Sequence, residues 1–115
     1  MQYLLLCCFD EKRWDELAPS RREEIMHEYA ALMRSLASSG QHVASAQLQP
    51  VSAAATVRGT KGRLSVTDGP FAETKEQLGG YHLIECRDFE EAIAIAKRIP
   101  TLPYGGAVEV RPLFT

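Results

Sequence analysis

Residues Tyr3–Phe9 read YLLLCCF, a compact apolar run of strand length. Side chains alternate across a strand, so Tyr3, Leu5 and Cys7 point one way and Leu4, Leu6 and Cys8 the other. Both faces are apolar. The same holds at GGYHLIECR, Gly79–Arg87, where Tyr81 and Leu83 oppose Ile84 and Cys86. An antiparallel sheet with one wet face alternates apolar and polar residues instead. These strands therefore predict a sheet covered on both sides.

Outward from the first strand, a short helical turn is expected around Trp14–Leu17. PSRREE follows, with Ser20 as N-cap and Glu23 as its capping-box partner, and predicts a helix over Arg21–Ser39. Ile25, Met26, Tyr29, Leu32, Met33 and Leu36 recur at three- and four-residue spacing on one face, and Gly40 supplies a left-handed stop. A strand at His42–Leu48 and a Pro50 loop come next. Ala55–Arg58 and Arg63–Thr67, joined by GTKG, read as a hairpin.

Asp88 with Glu91 repeats the capping logic for a second helix striped by Phe89, Ala92, Ile93, Ala96 and Ile99. Pro100 and Pro103 end it, and Ala107–Arg111 is the last strand. The order is a ferredoxin-like α+β pattern with an inserted hairpin and two main helices on one face of an antiparallel sheet. Two helices cannot cover both faces. A second copy of the chain is the expected cover, since large bare apolar patches are uncommon on soluble monomers.

The chain has 115 residues, 45% of them hydrophobic, which suits one domain over 1–115 with one core. A net charge of −2 and a pI near 5.9 give no excess of basic side chains for nucleic acid or an anionic membrane. MQYLLLCCFD fits neither a signal peptide nor a membrane span, so a cytoplasmic protein is expected. Cys7, Cys8 and Cys86 lie in apolar runs, as structural thiols do.

His27, His42 and His82 occupy separate elements without metal-ligand spacing, and no phosphate-loop, dinucleotide or nucleophile-elbow motif occurs. No metal and no cofactor is expected. Helical geometry puts His27 on the solvent face beside Glu23, whereas His82 flanks apolar strand positions as a core histidine or a ligand contact.

One segment, SVTDGPFAETKEQ at Ser65–Gln77, has two readings. As a turn, Asp68 accepts local hydrogen bonds, Gly69 takes a positive φ, Pro70 fixes its own φ and Phe71 anchors the loop in the core. As a site, Asp68 at a strand end beneath the helices is a desolvated carboxylate able to move a proton.

VTDGPFAETKEQLGGYHLIE closely resembles the signature of DGPF-domain proteins, a branch of the YCII-related family. The likeness extends to YLLL, LQP, AKRIP and VEVRPL elsewhere in the chain. It implies a dimeric α+β barrel of ferredoxin-like subunits. Some YCII-related relatives are similar in fold to muconolactone isomerase-type enzymes, and the resemblance implies a histidine with an aspartate as the catalytic pair of those relatives. Carried over, the aspartate is Asp68, and the histidine position falls at or near Tyr29, two residues beyond His27. DGPF proteins are often encoded beside extracytoplasmic-function sigma factors, which implies a regulatory protein partner.

Two functions follow as expectations. One is a binding protein for a small molecule or regulatory partner, with Phe71, Glu73 and His82 at the pocket. The other is a lyase or isomerase of small carbonyl or lactone-like compounds, with Asp68 as acid/base and Tyr29 orienting the substrate.

Overall fold

A computed structural model describes residues 1–114. Strand β1 (Gln2–Phe9) leads to a short helix α1 (Glu11–Glu16) and a long helix α2 (Pro19–Ser38). Strand β2 (His42–Gln47), the hairpin strands β3 (Ala55–Thr60) and β4 (Arg63–Asp68), strand β5 (Gln77–Glu85), helix α3 (Phe89–Ala96) and strand β6 (Ala107–Pro112) complete the chain. Four strands form one antiparallel sheet in the order β2-β5-β1-β6. Without the hairpin, that is the strand order of the ferredoxin-like pattern. The hairpin forms a separate two-stranded sheet.

One face of the main sheet carries the core. Tyr3, Leu5, Cys7 and Ile84 are buried there with Leu32 and Leu36 of α2 and Ala92, Ile95 and Ala96 of α3. Each fully buried Leu or Ile contributes about 1.5–3 kcal/mol by leaving water. The register then fixes the other face. Leu4 pairs with Leu83 and Leu6 with Tyr81, so these four side chains share the side away from the core.

Local signals set most boundaries, with four corrections. One is at the C-terminal end of α3, which stops at Ala96 and leaves Ile99, expected on its stripe, beyond the helix. Helix α2 starts two residues early, on Pro19, with Ala18 as a cap that offers no side-chain bond. Proline has no N–H to satisfy and a φ already suited to the first helical position, so the Ser20–Glu23 capping box is not needed. At its other end Gly40, at φ +74, directs the Gln41 amide back to the Leu36 carbonyl at 2.9 Å, the expected left-handed stop. Helix α1 runs from Glu11, three residues before the expected turn, because the Asp10 side chain accepts from the Lys12 amide at 3.0 Å.

In α3 Asp88 Oδ1 accepts from the Glu91 amide at 2.9 Å, as its spacing predicts. The helix buries Ile95 while Ile93 is half-buried and Phe89 lies out against Tyr3, ring centroids 5.8 Å apart. The hairpin turn is tighter than GTKG suggests. Lys61 and Gly62, at φ +50 and +78, are its two central residues, and Gly59 and Thr60 belong to β3.

The hairpin stands away from the main sheet. Its register puts Val57 opposite Val66 and Gly59 opposite Leu64 on one face, with Arg58 and Ser65 on the other. The apolar face is bare, with Leu64 80% and Val66 71% exposed. Accordingly the radius of gyration is 15.9 Å, against about 13 Å for a compact domain of this length. Among the described residues no helix is long and apolar enough to cross a membrane.

Candidate functional site

A cleft of about 520 Å³ opens between the end of the main sheet, helix α2, helix α1 and the loop after β2. Its floor follows from two glycines. Gly80 lies opposite Cys7 in the β1–β5 register, on the core side of the sheet, where any other residue would put a side chain into the cleft. A Cβ there would sit 2.9 Å from the Ala46 carbonyl oxygen, so the β2 backbone also requires glycine at this position.

Two residues on from Gly80, and on the same face, is His82. It is 8% exposed, and its Nδ1 has no hydrogen-bond partner. Burial, helped by the nearby His42, lowers its pKa and favours the neutral ring. Tyr29 projects from the middle of α2 and stacks on the imidazole, centroids 6.0 Å apart. Its hydroxyl reaches 3.5 Å from Thr101 Oγ1, at the bend after α3. Burial pushes the Tyr29 phenol up to about 12, against the opposing pull of the Thr101 hydroxyl. It likewise pushes the Cys7 thiol up to about 11, with the Tyr29 hydroxyl drawing it partway back. Cys7 is thus a protonated thiol near neutrality and not a nucleophile.

The outer wall comes from α1. Trp14 meets Phe9 edge to face at 6.3 Å. Glu11 ties the wall together: its Oε2 accepts from the Val51 amide at 3.1 Å, and its own amide donates to Gln77 Oε1 at 3.0 Å. Gln77 Nε2 in turn donates to the Thr74 carbonyl at 2.6 Å. Glu11 and Asp15 are the acids lining the cleft. The arrangement offers an apolar pocket with a few converging, uncharged hydrogen-bonding groups at its inner end and carboxylates at its rim, a form suited to a small organic ligand. Among the described residues no three His, Cys, Asp or Glu side chains are placed to hold a metal ion.

The residues singled out in the sequence divide into two groups. Tyr29 and His82 come together in the cleft. Asp68, Phe71 and Glu73 do not line it. Asp68 ends β4 as an exposed residue, not beneath the helices. Gly69 takes its positive φ, +100, and its amide donates to the Ala54 carbonyl at 2.7 Å. That bond, with Thr56 Oγ1 donating to the Gly69 carbonyl at 2.8 Å, closes the hairpin on itself and carries the loop away from the main sheet. Phe71, expected in the core, is therefore 78% exposed, its carbonyl held by Arg58 Nη2 at 3.1 Å.

His27 rides the solvent face of α2, 3.9 Å from Glu23, as helical spacing predicts. Cys7, Thr101, Glu11, Gln77 and Trp14 also line the cleft and carry no sequence signal that marks them as site residues. The Gly79-Gly80 pair is a signal that could have marked the floor, because glycine inside a strand often records a close backbone approach.

Comparison with known proteins places these features in a family. A family model described as the YCII-related domain matches residues 1–115. The chain is also 40% identical over 114 residues to the uncharacterized protein R00369 of Rhizobium meliloti (strain 1021), covering 98% of this chain and 92% of that one. The chain belongs to the YCII-related family.

Proposed function

We propose that this member of the YCII-related family is a homodimer of the DGPF branch that binds a small organic molecule in the cleft between Tyr29, His82 and the wall formed by α1. The observation that carries the reading is His82 Nδ1, buried and without a partner on a residue that lines a cleft large enough for a ligand. A buried polar atom left unsatisfied costs about 1–3 kcal/mol, and a ligand group that pairs with it recovers that cost. The dimer is supported by two apolar surfaces: the outer sheet face with the half-buried Leu4, Leu6, Tyr81 and Leu83, and the bare hairpin face with Val57, Leu64 and Val66. Three free thiols suit a reducing cytoplasm. A regulatory protein partner, the sigma-factor link implied by resemblance, belongs to the same proposal.

An acid/base role for Asp68 is a second reading with its own support. The β3–β4 register sets Asp68 on the same hairpin face as Val66, so a second copy covering that face would bury the carboxylate. Asp68 then acts with groups of the dimer rather than with the cleft of its own chain.

A thermal-shift screen of small metabolites tests the binding reading. A ligand at about 100 times its Kd stabilises the fold by about 2.7 kcal/mol, and His82→Gln and Tyr29→Phe are expected to weaken that response. A response that both variants leave intact would put the binding elsewhere, and the cleft would lose its assignment.

A further inference from the structure

The charges of the cleft are one-sided. Glu11 and Asp15 line it, both from α1, and no Lys or Arg does among the described residues. Glu11 is half-buried and fixed in place: its Oε2 is taken by the Val51 amide at 3.1 Å, and its other oxygen, Oε1, takes no bond from the described residues. Trp14, one turn from Glu11, adds an aromatic wall to the same mouth. At the inner end His82 is held toward its neutral form by burial and by His42, so it supplies no positive charge to a bound anion. An anion entering this cleft would lose water while meeting two carboxylates. A cation would meet two carboxylates and an aromatic ring.

We propose that the occupant is a small organic cation: a protonated amine set against Glu11 and Asp15, on an apolar body whose uncharged polar group bonds the unpartnered His82 Nδ1. The inference rests on the reading of the cleft as a ligand site and names the class of molecule that site selects. The carboxylates alone would not carry it. The imidazole points independently to a ligand: His82 lines the cleft, the residue is more than nine-tenths buried, and its Nδ1 has no partner. The two features divide the work: the buried nitrogen fixes orientation, and the rim charge selects sign.

Three probes of one skeleton, each with a phenol hydroxyl as the uncharged polar group for His82, test it: tyramine, 4-(2-hydroxyethyl)phenol and 3-(4-hydroxyphenyl)propionate, titrated into uniformly 15N-labelled protein and followed by amide chemical shifts. The amine is expected to bind roughly three- to fivefold more tightly than the alcohol, the worth of a partly exposed ion pair. The carboxylate is expected to bind most weakly. In the Glu11→Gln/Asp15→Asn protein, amine and alcohol should come within about twofold of each other, because the amine loses its excess affinity. The glutamine amide that replaces the Glu11 carboxylate keeps an oxygen to accept from the Val51 amide, so the wall is preserved. Equal or tighter binding of the alcohol or the carboxylate, or an amine preference that survives the double variant, overturns the cation assignment and leaves the cleft as a site. If none of the three probes moves a cleft resonance, the cleft reading falls and this inference with it.

Discussion

Tyr29 stacks on His82, with their ring planes 27° apart, and so joins helix α2 to strand β5 at the inner end of the cleft. The contact is built from residues that are polar by composition yet sit against the core. Its cost and its use both follow from that burial.

The acid side of the stability profile is expected to depend on His82. Its folded pKa lies below the ordinary 6.5, so in acid the unfolded chain takes a proton there before the native one does. The stabilisation is therefore present above about pH 6.5 and is lost as pH falls toward the lower folded value. Urea melts at pH 7.5 and pH 5 should show a lower midpoint in acid, and His82→Gln should flatten that difference. An unchanged pH dependence in the variant would show that other groups account for it.

On the alkaline side Tyr29 and Cys7 have the opposite sign. Their folded values of about 12 and about 11 lie above the ordinary 10.0 and 9.0, so the unfolded chain releases protons first. Stability is expected to fall as pH rises from about 9 upward. Tyr29→Phe keeps the ring on His82 and should move the alkaline unfolding midpoint upward. Its cost near neutrality should be under about 1 kcal/mol, because the bond to Thr101 is long. A variant that unfolds at the same alkaline pH as the parent would refute the assignment.

Adjacent glycines should behave differently. A Cβ on Gly80 would press on the Ala46 carbonyl oxygen at 2.9 Å, whereas one on Gly79 would find its nearest atom at 3.9 Å. Gly80→Ala is expected to cost about 1–3 kcal/mol by forcing β2 from β5. Gly79→Ala should leave the urea midpoint close to that of the parent. Equal effects of the two would mean that β2 yields freely at this point.

In the Asp68–Phe71 loop, Gly69→Ala should cost on the order of 1 kcal/mol or more, since φ +100 is unfavourable for alanine. Asp68→Ala separates the two readings of this segment. A loss of stability with ligand response intact leaves a turn, whereas unchanged stability with a lost activity in the dimer supports the acid/base role.

The homodimer has a direct measurement. Light scattering at micromolar concentration should give twice the chain mass, with an interface of about 2,000 Å² or more. Val66→Lys, at a position 71% exposed in the single chain, should shift that mass toward monomer without unfolding the protein. A parent protein that scatters as a monomer would remove the dimer.

By itself the sequence determined what local chemistry controls. Asp88 as a cap, Gly40 and Gly69 at positive φ, the stripe of α2 through Ile25, Leu32 and Leu36, and the alternation of β1 each depend on neighbours a few residues away. Together they yield the element order, and the order leaves the ferredoxin-like sheet as the compact arrangement. Tertiary structure decided the cleft. Cys7, Tyr29, His82 and Thr101 belong to separate segments, and what brings them together is the β1–β5 register and the seating of α2, neither of which has a local signal. It also decided the direction of Phe71. An aromatic after a turn enters a core only where a core lies beneath it, and closure of the hairpin through Gly69 and Thr56 carries this one into solvent.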